Sequence, residues 1–358
     1  MIKRINATLL RDINGNMILV ISIAKLLCIQ HFLVDAICLA CIFGLIKPCF
    51  ESAPAGFICA VALYNALAFC TQWLTGLCCD MTENNRYSHL IYSLLLLIGC
   101  AVSARVPLLG IFLIGTGNSI FHAAGGKYVI EHAAGKAGPL GCFVAPGALG
   151  VYAGTMFCNA WLLFSGLMLI NALVLYLHSG KGFSCGENQI GRTEFTRLEF
   201  SGIILVLICI LCRAASGSIQ PAWNSPFANL TWLPVLLVFC GKLSGGFLGD
   251  FFGVWKTGTA GLVIGTLLVI FGNTPTAFCA GTFCMNLLMA LTLWQLVRFL
   301  PGQSGFAFGL AASMLYPGSL IRLPENSCLG PFLLLLGCIV CFTGGQHLLN
   351  KQKERAAQ

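Results

Sequence analysis

Hydrophobic residues in this chain come in long unbroken runs, and the polar residues are confined to short gaps between them. Runs near 20 residues are long enough to cross a hydrocarbon core of about 30 Å as helices. A transmembrane barrel would instead show short alternating segments, and these runs do not alternate. The pattern predicts twelve spans, near 17–46, 55–79, 88–104, 107–126, 138–156, 158–178, 199–219, 229–249, 255–272, 275–296, 302–321 and 329–349. The longest polar stretch, 179–198, follows the sixth span. It divides the chain into two six-span halves, 1–178 and 199–358, joined by a linker. The segment from Gly125 to Gly138 is glycine-rich and partly polar, and is expected to turn at the surface after the fourth span.

Composition agrees with an all-α polytopic membrane protein. At 58% hydrophobic and 9% charged, the chain is far from the soluble average of about a quarter charged residues. No segment is long and polar enough to hold a soluble domain, so any function must lie in the bundle. A membrane-embedded enzyme would need several bases or nucleophiles converging near one interface. His89, His122 and His132 are scattered, and the expectation is no enzyme. The net charge of +8 suggests an anionic partner, but the cations sit mainly in short loops on alternate sides. Lys3, Arg4, Arg86, Lys181, Arg298 and Lys353 fall on one side, against Lys47, Arg105 and Arg322 on the other. The positive-inside rule then places both termini in the cytoplasm, and no nucleic acid is implied; the expected location is the plasma (cytoplasmic) membrane. Lys3, Arg4 and Arg11 precede an apolar run as in a signal peptide, yet no small-residue cleavage site follows promptly, so the run reads as a retained span.

Twenty cysteines would suggest a disulfide scaffold in a small secreted chain. Here most lie within apolar runs, where cysteine behaves as a small hydrophobe. The CxxC pairs Cys38/Cys41, Cys209/Cys212 and Cys338/Cys341 are i,i+3 neighbours on helices. No metal site and no cofactor is expected. No Walker pattern is present, so no ATP-driven mechanism is encoded.

One element occurs twice. Gly241 to Lys256 reads Gly-Lys-Leu-Ser-Gly-Gly-Phe-Leu-Gly-Asp-Phe-Phe-Gly-Val-Trp-Lys, and Gly76-Leu-Cys-Cys-Asp80 with Arg86 echoes it. Gly76 and Gly246, Asp80 and Asp250, and Arg86 and Lys256 are each 170 residues apart. An apolar helix ending in glycine, an acid and a cation at matching places in two halves points to internal duplication. Lys242 stands where Gln72 stands in the first copy, below the midplane, and is grouped with this element.

An ionisable group inside a membrane costs about 2.5–3.5 kcal/mol on insertion scales, so each one present calls for a reason. Asp35 is a carboxylate well inside the first span, and His31 lies one turn before it on the same face. Such a pair can take up and release a proton near neutral pH, or can serve as structural glue between helices. Asn118 and His122 are again i,i+4, near the inner end of the fourth span. Arg213, in the seventh, could bind an anionic substrate, pair with Asp35 across the bundle, or reach the outer headgroups. Gly147, Gly150 and Gly154 fall close to one face and should let helices approach.

Twelve spans, a central cytoplasmic linker and the repeated Gly/Asp/cation element together resemble the major facilitator superfamily, whose signature after span two reads roughly G-x-L-x-D-R-x-G-R-R. Gly246, Leu248, Asp250 and Gly253 match it, with Phe251 at the first arginine and Lys256 late. Gly76 and Asp80 match in the first copy, with Glu83 at the last glycine. The resemblance implies an inner gate at Gly76, Asp80, Arg86, Lys242, Gly246, Asp250, Gly253 and Lys256, better supported at Asp250 than at Asp80. His31-Phe-Leu-Val-Asp35, Gly115-Thr-Gly-Asn-Ser-Ile-Phe-His122 and Gly141-Cys-Phe-Val-Ala-Pro-Gly147-Ala-Leu-Gly150 look like the fosmidomycin-resistance type of exporter. In the superfamily, spans one, four, seven and ten line the central cavity. That implies a substrate and proton path along His31, Asp35, Asn118, His122, Arg213, Trp294 and Gln295. The expectation is a monomeric, proton-coupled exporter of a small organic solute working by alternating access. A facilitator or importer on the same fold, and a sensor or scaffold that no longer transports, remain open from sequence.

Overall fold

The computed structural model describes residues 23–82, 85–179, 195–216, 230–272, 274–322 and 329–357. The basic residues Lys3, Arg4 and Arg11, and most of the 179–198 linker, lie outside them. The described residues are helical apart from short turns. Eleven helices are long and apolar enough to cross a membrane: α1 (Ile23–Phe50), α2 (Pro54–Met81), α3 (Asn85–Ser103), α4 (Pro107–His132), α5 (Gly138–Met156), α6 (Cys158–His178), α7 (Arg197–Ala215), α8 (Trp232–Phe252), α9 (Val254–Phe271), α10 (Pro275–Phe299) and, at the end, α12 (Leu329–Arg355).

The eleventh expected span, α11, is broken into Ser304–Ser313 and Leu315–Leu320. Pro317 has no N–H to give to the carbonyl of Ser313, so the helical ladder fails there. Neither piece alone has the length of a span. Elsewhere proline starts helices, where its missing N–H costs nothing: Pro54, Pro107 and Pro275 each stand at the first turn. Pro146 divides α5 into Gly138–Val144 and Pro146–Met156.

One expectation is corrected. The chain does not turn at Gly125: α4 continues to His132, and Gly125, Gly126 and Lys127 are all buried. The glycines serve packing instead. A Cβ on Gly126 would collide with the Phe308 ring, and one on Gly125 would press the Phe143 ring at 3.0 Å. Closely approaching membrane helices favour small residues for this reason. The turn comes later, where Ala134 (φ 48°) and Gly135 (φ 75°) adopt left-handed backbone. The α5 glycines fit their expected use: a Cβ on Gly150 or Gly154 would meet the α1 carbonyls of Phe32 and Ala36.

Helices α2–α6 pack largely among one another, with α4 against α2, α3 and α5. A second set joins α7 to α12, α9 to α10 and α12, and α8 to α9 and α10. Between the sets the main contacts are α2 on α11 and α5 on α8.

Candidate functional site

The polar pairs expected on α1 and α4 converge on one cluster. His31 Nε2 lies 3.4 Å from Asp35 Oδ2, and His122 Nε2 lies 3.8 Å from Asp35 Oδ1. Asn118 donates its side-chain N–H to Asp35 Oδ1 at 3.0 Å and so orients the carboxylate. All four side chains are buried. Phe121 and Phe143 pack against the His31 ring at centroid distances of 5.8 and 4.9 Å. A Cβ on Gly147 would collide with the His31 ring and with Asp35, so this α5 glycine lets the cluster form.

Hydrogen bonding fixes how the two rings are protonated. His31 Nδ1 lies 2.6 Å from the Phe143 carbonyl, and His122 Nδ1 lies 2.9 Å from the Asn118 carbonyl. A carbonyl only accepts, so both Nδ1 atoms carry hydrogen. Two neutral rings would therefore point Nε2 lone pairs at each other, yet those atoms are 2.9 Å apart. One added proton between them turns this repulsion into a charge-assisted hydrogen bond, with the Asp35 carboxylate beside it. The donor atoms of His31, Asp35 and His122 all lie within 4.8 Å of one another, a spread that one small cation could bridge. No metal was expected from the sequence; the geometry allows a cation here, and the Nε2–Nε2 separation is within hydrogen-bond range.

The acids of the repeated element do the same thing in both copies. Asp80, at the end of α2, accepts from the backbone N–H groups of Gly305 and Phe306 at the start of α11, at 2.9 and 2.7 Å. Asp250, at the end of α8, accepts from Ala137 and Gly138 at the start of α5, at 2.7 and 2.8 Å. Each acid satisfies unpaired N–H groups of a helix N-terminus and opposes its dipole. Gly76 and Gly246 make this possible: a Cβ there would collide with the carbonyls of Gly305 and Ala137.

The cations of the element are placed differently from expectation. The Arg86 guanidinium sits 4.1 Å from the Tyr176 ring centroid, while the cation beside Asp80 is Lys127, at 3.8 Å. Lys127 also donates to the Cys79 carbonyl at 2.7 Å and lies 3.9 Å from Glu131. Only its place on the buried face of an extended α4 reveals it, which the sequence hid behind the apparent Gly125 turn. Lys256 is exposed at the start of α9, and Gly253 breaks the chain between α8 and α9 at φ 94°. Lys242 is half-buried on α8, where its backbone carbonyl packs against Gly141 of α5, the helix that also carries Phe143 and Gly147 of the histidine cluster.

Trp294 and Gln295 do not join the cluster. Trp294 donates to the Gly135 carbonyl at 2.7 Å, and Arg298, stacked 4.5 Å from the Trp294 ring, donates to the same oxygen at 2.8 Å. They clamp the α4–α5 turn. Gln295 is buried against α12, donating to the Phe342 carbonyl and Gln346. Arg213 pairs with no carboxylate among the described residues; its Nη2 contacts Met289 Sδ at 3.1 Å.

No family model matches the chain, and none of the curated proteins matches it in sequence. Solved structures do resemble it in shape. A single-residue variant of the Escherichia coli fucose:proton symporter FucP superposes with a TM-score of 0.63 at 14% identity, covering 91% of this chain and 98% of that one. A bacterial homologue of the iron transporter ferroportin, outward-facing with soaked iron, gives 0.62 at 11% identity, over 92% and 98%. The human organic anion transporter MFSD10 gives 0.62 at 14% identity, over 92% and 97%. FucP is described as a major facilitator superfamily transporter. At such low identity the likeness speaks to fold, and the chain has the fold of the major facilitator transporters.

Proposed function

We propose that this protein is a proton-coupled secondary transporter in which His31, Asp35 and His122 hold the coupling proton. The observation that carries this reading is the Nε2–Nε2 contact between two histidines whose Nδ1 atoms are both committed to carbonyls. Without a shared proton the contact is repulsive; with one, the cluster holds a positive charge next to a carboxylate. A group that must gain and lose one proton, buried between α1, α4 and α5, is what coupling requires. In this reading twelve spans with cytoplasmic termini form two halves, 1–178 and 199–358, which rock about the cluster. Asp80 and Asp250 close the inner end. The stretches resembling the fosmidomycin-resistance type favour export of a small organic solute across the cytoplasmic membrane.

The test has two arms. In histidine-labelled wild-type protein, 15N NMR should show a coupling across the hydrogen bond between the two Nε2 atoms at neutral pH, and Asp35→Asn should lose it. In proteoliposomes, Asp35→Asn should abolish solute-driven proton movement and yet melt near the wild-type temperature. Two neutral, uncoupled rings in the wild type, or normal proton movement in the variant, would sink the assignment.

A further inference from the structure

We infer that α7–α12 contain a binding site for a small organic anion, built around Arg213, and that it names the substrate class of the transporter proposed above. A cavity of about 200 Å³ lies between α7, α8, α9, α10 and α12. Its polar lining is Arg213, Ser216, Thr282 and Asn286; Phe278 and Met285 contribute apolar wall. It is smaller than the pockets of about 300–1,000 Å³ that hold drug-sized ligands, so the ligand is compact.

Arg213 is the reason to assign an anion. Its Nε is shielded from solvent and has no hydrogen-bond acceptor among the described residues, where its Nη2 meets the weak acceptor Met289 Sδ. A guanidinium presents five donors in a planar fork that suits a carboxylate or a similar oxyanion. The residue is half-buried, and leaving its shielded Nε donor without an acceptor costs free energy that a bound oxyanion would recover. The described acids of the same helices are committed elsewhere. Glu199 belongs to the Thr196 capping box and accepts from Gln352. Asp250 holds the start of α5, and Glu354 is exposed near the end of α12. Lys242 adds a second positive charge within electrostatic reach of Arg213; the Asp35 carboxylate is also within its reach, but no described carboxylate forms an ion pair with it.

Two cations beside a polar-headed, apolar-walled cavity therefore select a ligand with one oxyanion and a short apolar body. The oxyanion takes the Arg213 fork, and the body lies against Phe278 and Met285. Lys242 strengthens the local field without lining the cavity. The inference rests on the transporter reading for the word substrate, but binding itself does not depend on proton movement.

The experiment uses the full chain in lipid nanodiscs, with benzoate, acetate and inorganic phosphate as anionic probes and benzamide as the neutral isostere. Titration calorimetry and thermal melting are read on wild type, Arg213→Gln, Arg213→Lys and Lys242→Met. Benzoate should bind and raise the melting temperature of the wild type, while benzamide should not. Arg213→Gln should weaken benzoate at least tenfold, Arg213→Lys should retain part of the affinity, and Lys242→Met should weaken it less than Arg213→Gln does. If Arg213→Gln does not fold, the Arg213→Lys and Lys242→Met affinities decide. Failure of all three anions to bind, equal binding of benzamide, or unchanged affinity in the Arg213 variants would overturn the anion site. Asp35→Asn separates the two readings: benzoate binding retained with proton movement unchanged would remove the proton assignment alone. Absent anion binding with Asp35-dependent proton movement would remove the anion site alone.

Discussion

The two acids that tie the helix sets together share a geometry and differ in their surroundings. Asp80 is largely shielded and has Lys127 beside it and Glu131 nearby; Asp250 is exposed, and no described cation forms an ion pair with it. By sequence, Asp250 sits in the better copy of the superfamily signature, with four matching anchors, while Asp80 sits in the degenerate one. Both nonetheless accept two backbone N–H groups at 2.7–2.9 Å from the start of a helix in the opposite set. The contact needs a glycine four residues before the acid, so that the helices can touch, and the acid itself. The remaining signature positions are dispensable to it. Strength, however, should follow surroundings, because a shielded charged hydrogen bond is worth more than a solvated one.

That difference can be broken in three ways, each read by thermal unfolding of purified protein. Asp80→Ala should have the largest effect, a loss of about 3 kcal/mol. It removes both contacts to α11 and strands Lys127, at the low end of what breaking a buried pair costs because Glu131 remains. Asp250→Ala should cost about 1 kcal/mol, since it removes two hydrogen bonds to a charge that water already reaches. Equal losses would show that shielding at Asp80 contributes nothing. Lys256→Ala should change stability by less than about 0.5 kcal/mol, as a surface substitution away from any specific contact does. A larger loss would restore the cation of the signature to a role beside Asp250.

The same contrast marks what could be read from sequence. Span positions follow from run length, because lipid leaves a helix little alternative. The i,i+4 pairs His31/Asp35 and Asn118/His122 are legible on their own helices. Their convergence is not, since it depends on how α1 meets α4 and on the carbonyl of Phe143 from α5. The superfamily's helix order places Trp294 and Gln295 in the cavity, but facing is set by packing. Trp294 turns to the Gly135 carbonyl and Gln295 to α12. Gly125 and Gly126 illustrate a real ambiguity, because glycine marks turns in water-exposed chain and helix contacts in membranes. Reading them as a turn concealed Lys127.

The paired clasps have a consequence for turnover. In a rocking carrier, both acids would act on a single equilibrium between closed and open inner ends, and their contributions would multiply as populations. Each 1.4 kcal/mol held by a clasp lowers the open fraction tenfold. Two latches as strong as the shielded one would leave that fraction vanishingly rare in every cycle. In the carrier proposed above, one dry latch and one wet latch would keep the inner end shut against leakage and still let it open often enough to release cargo.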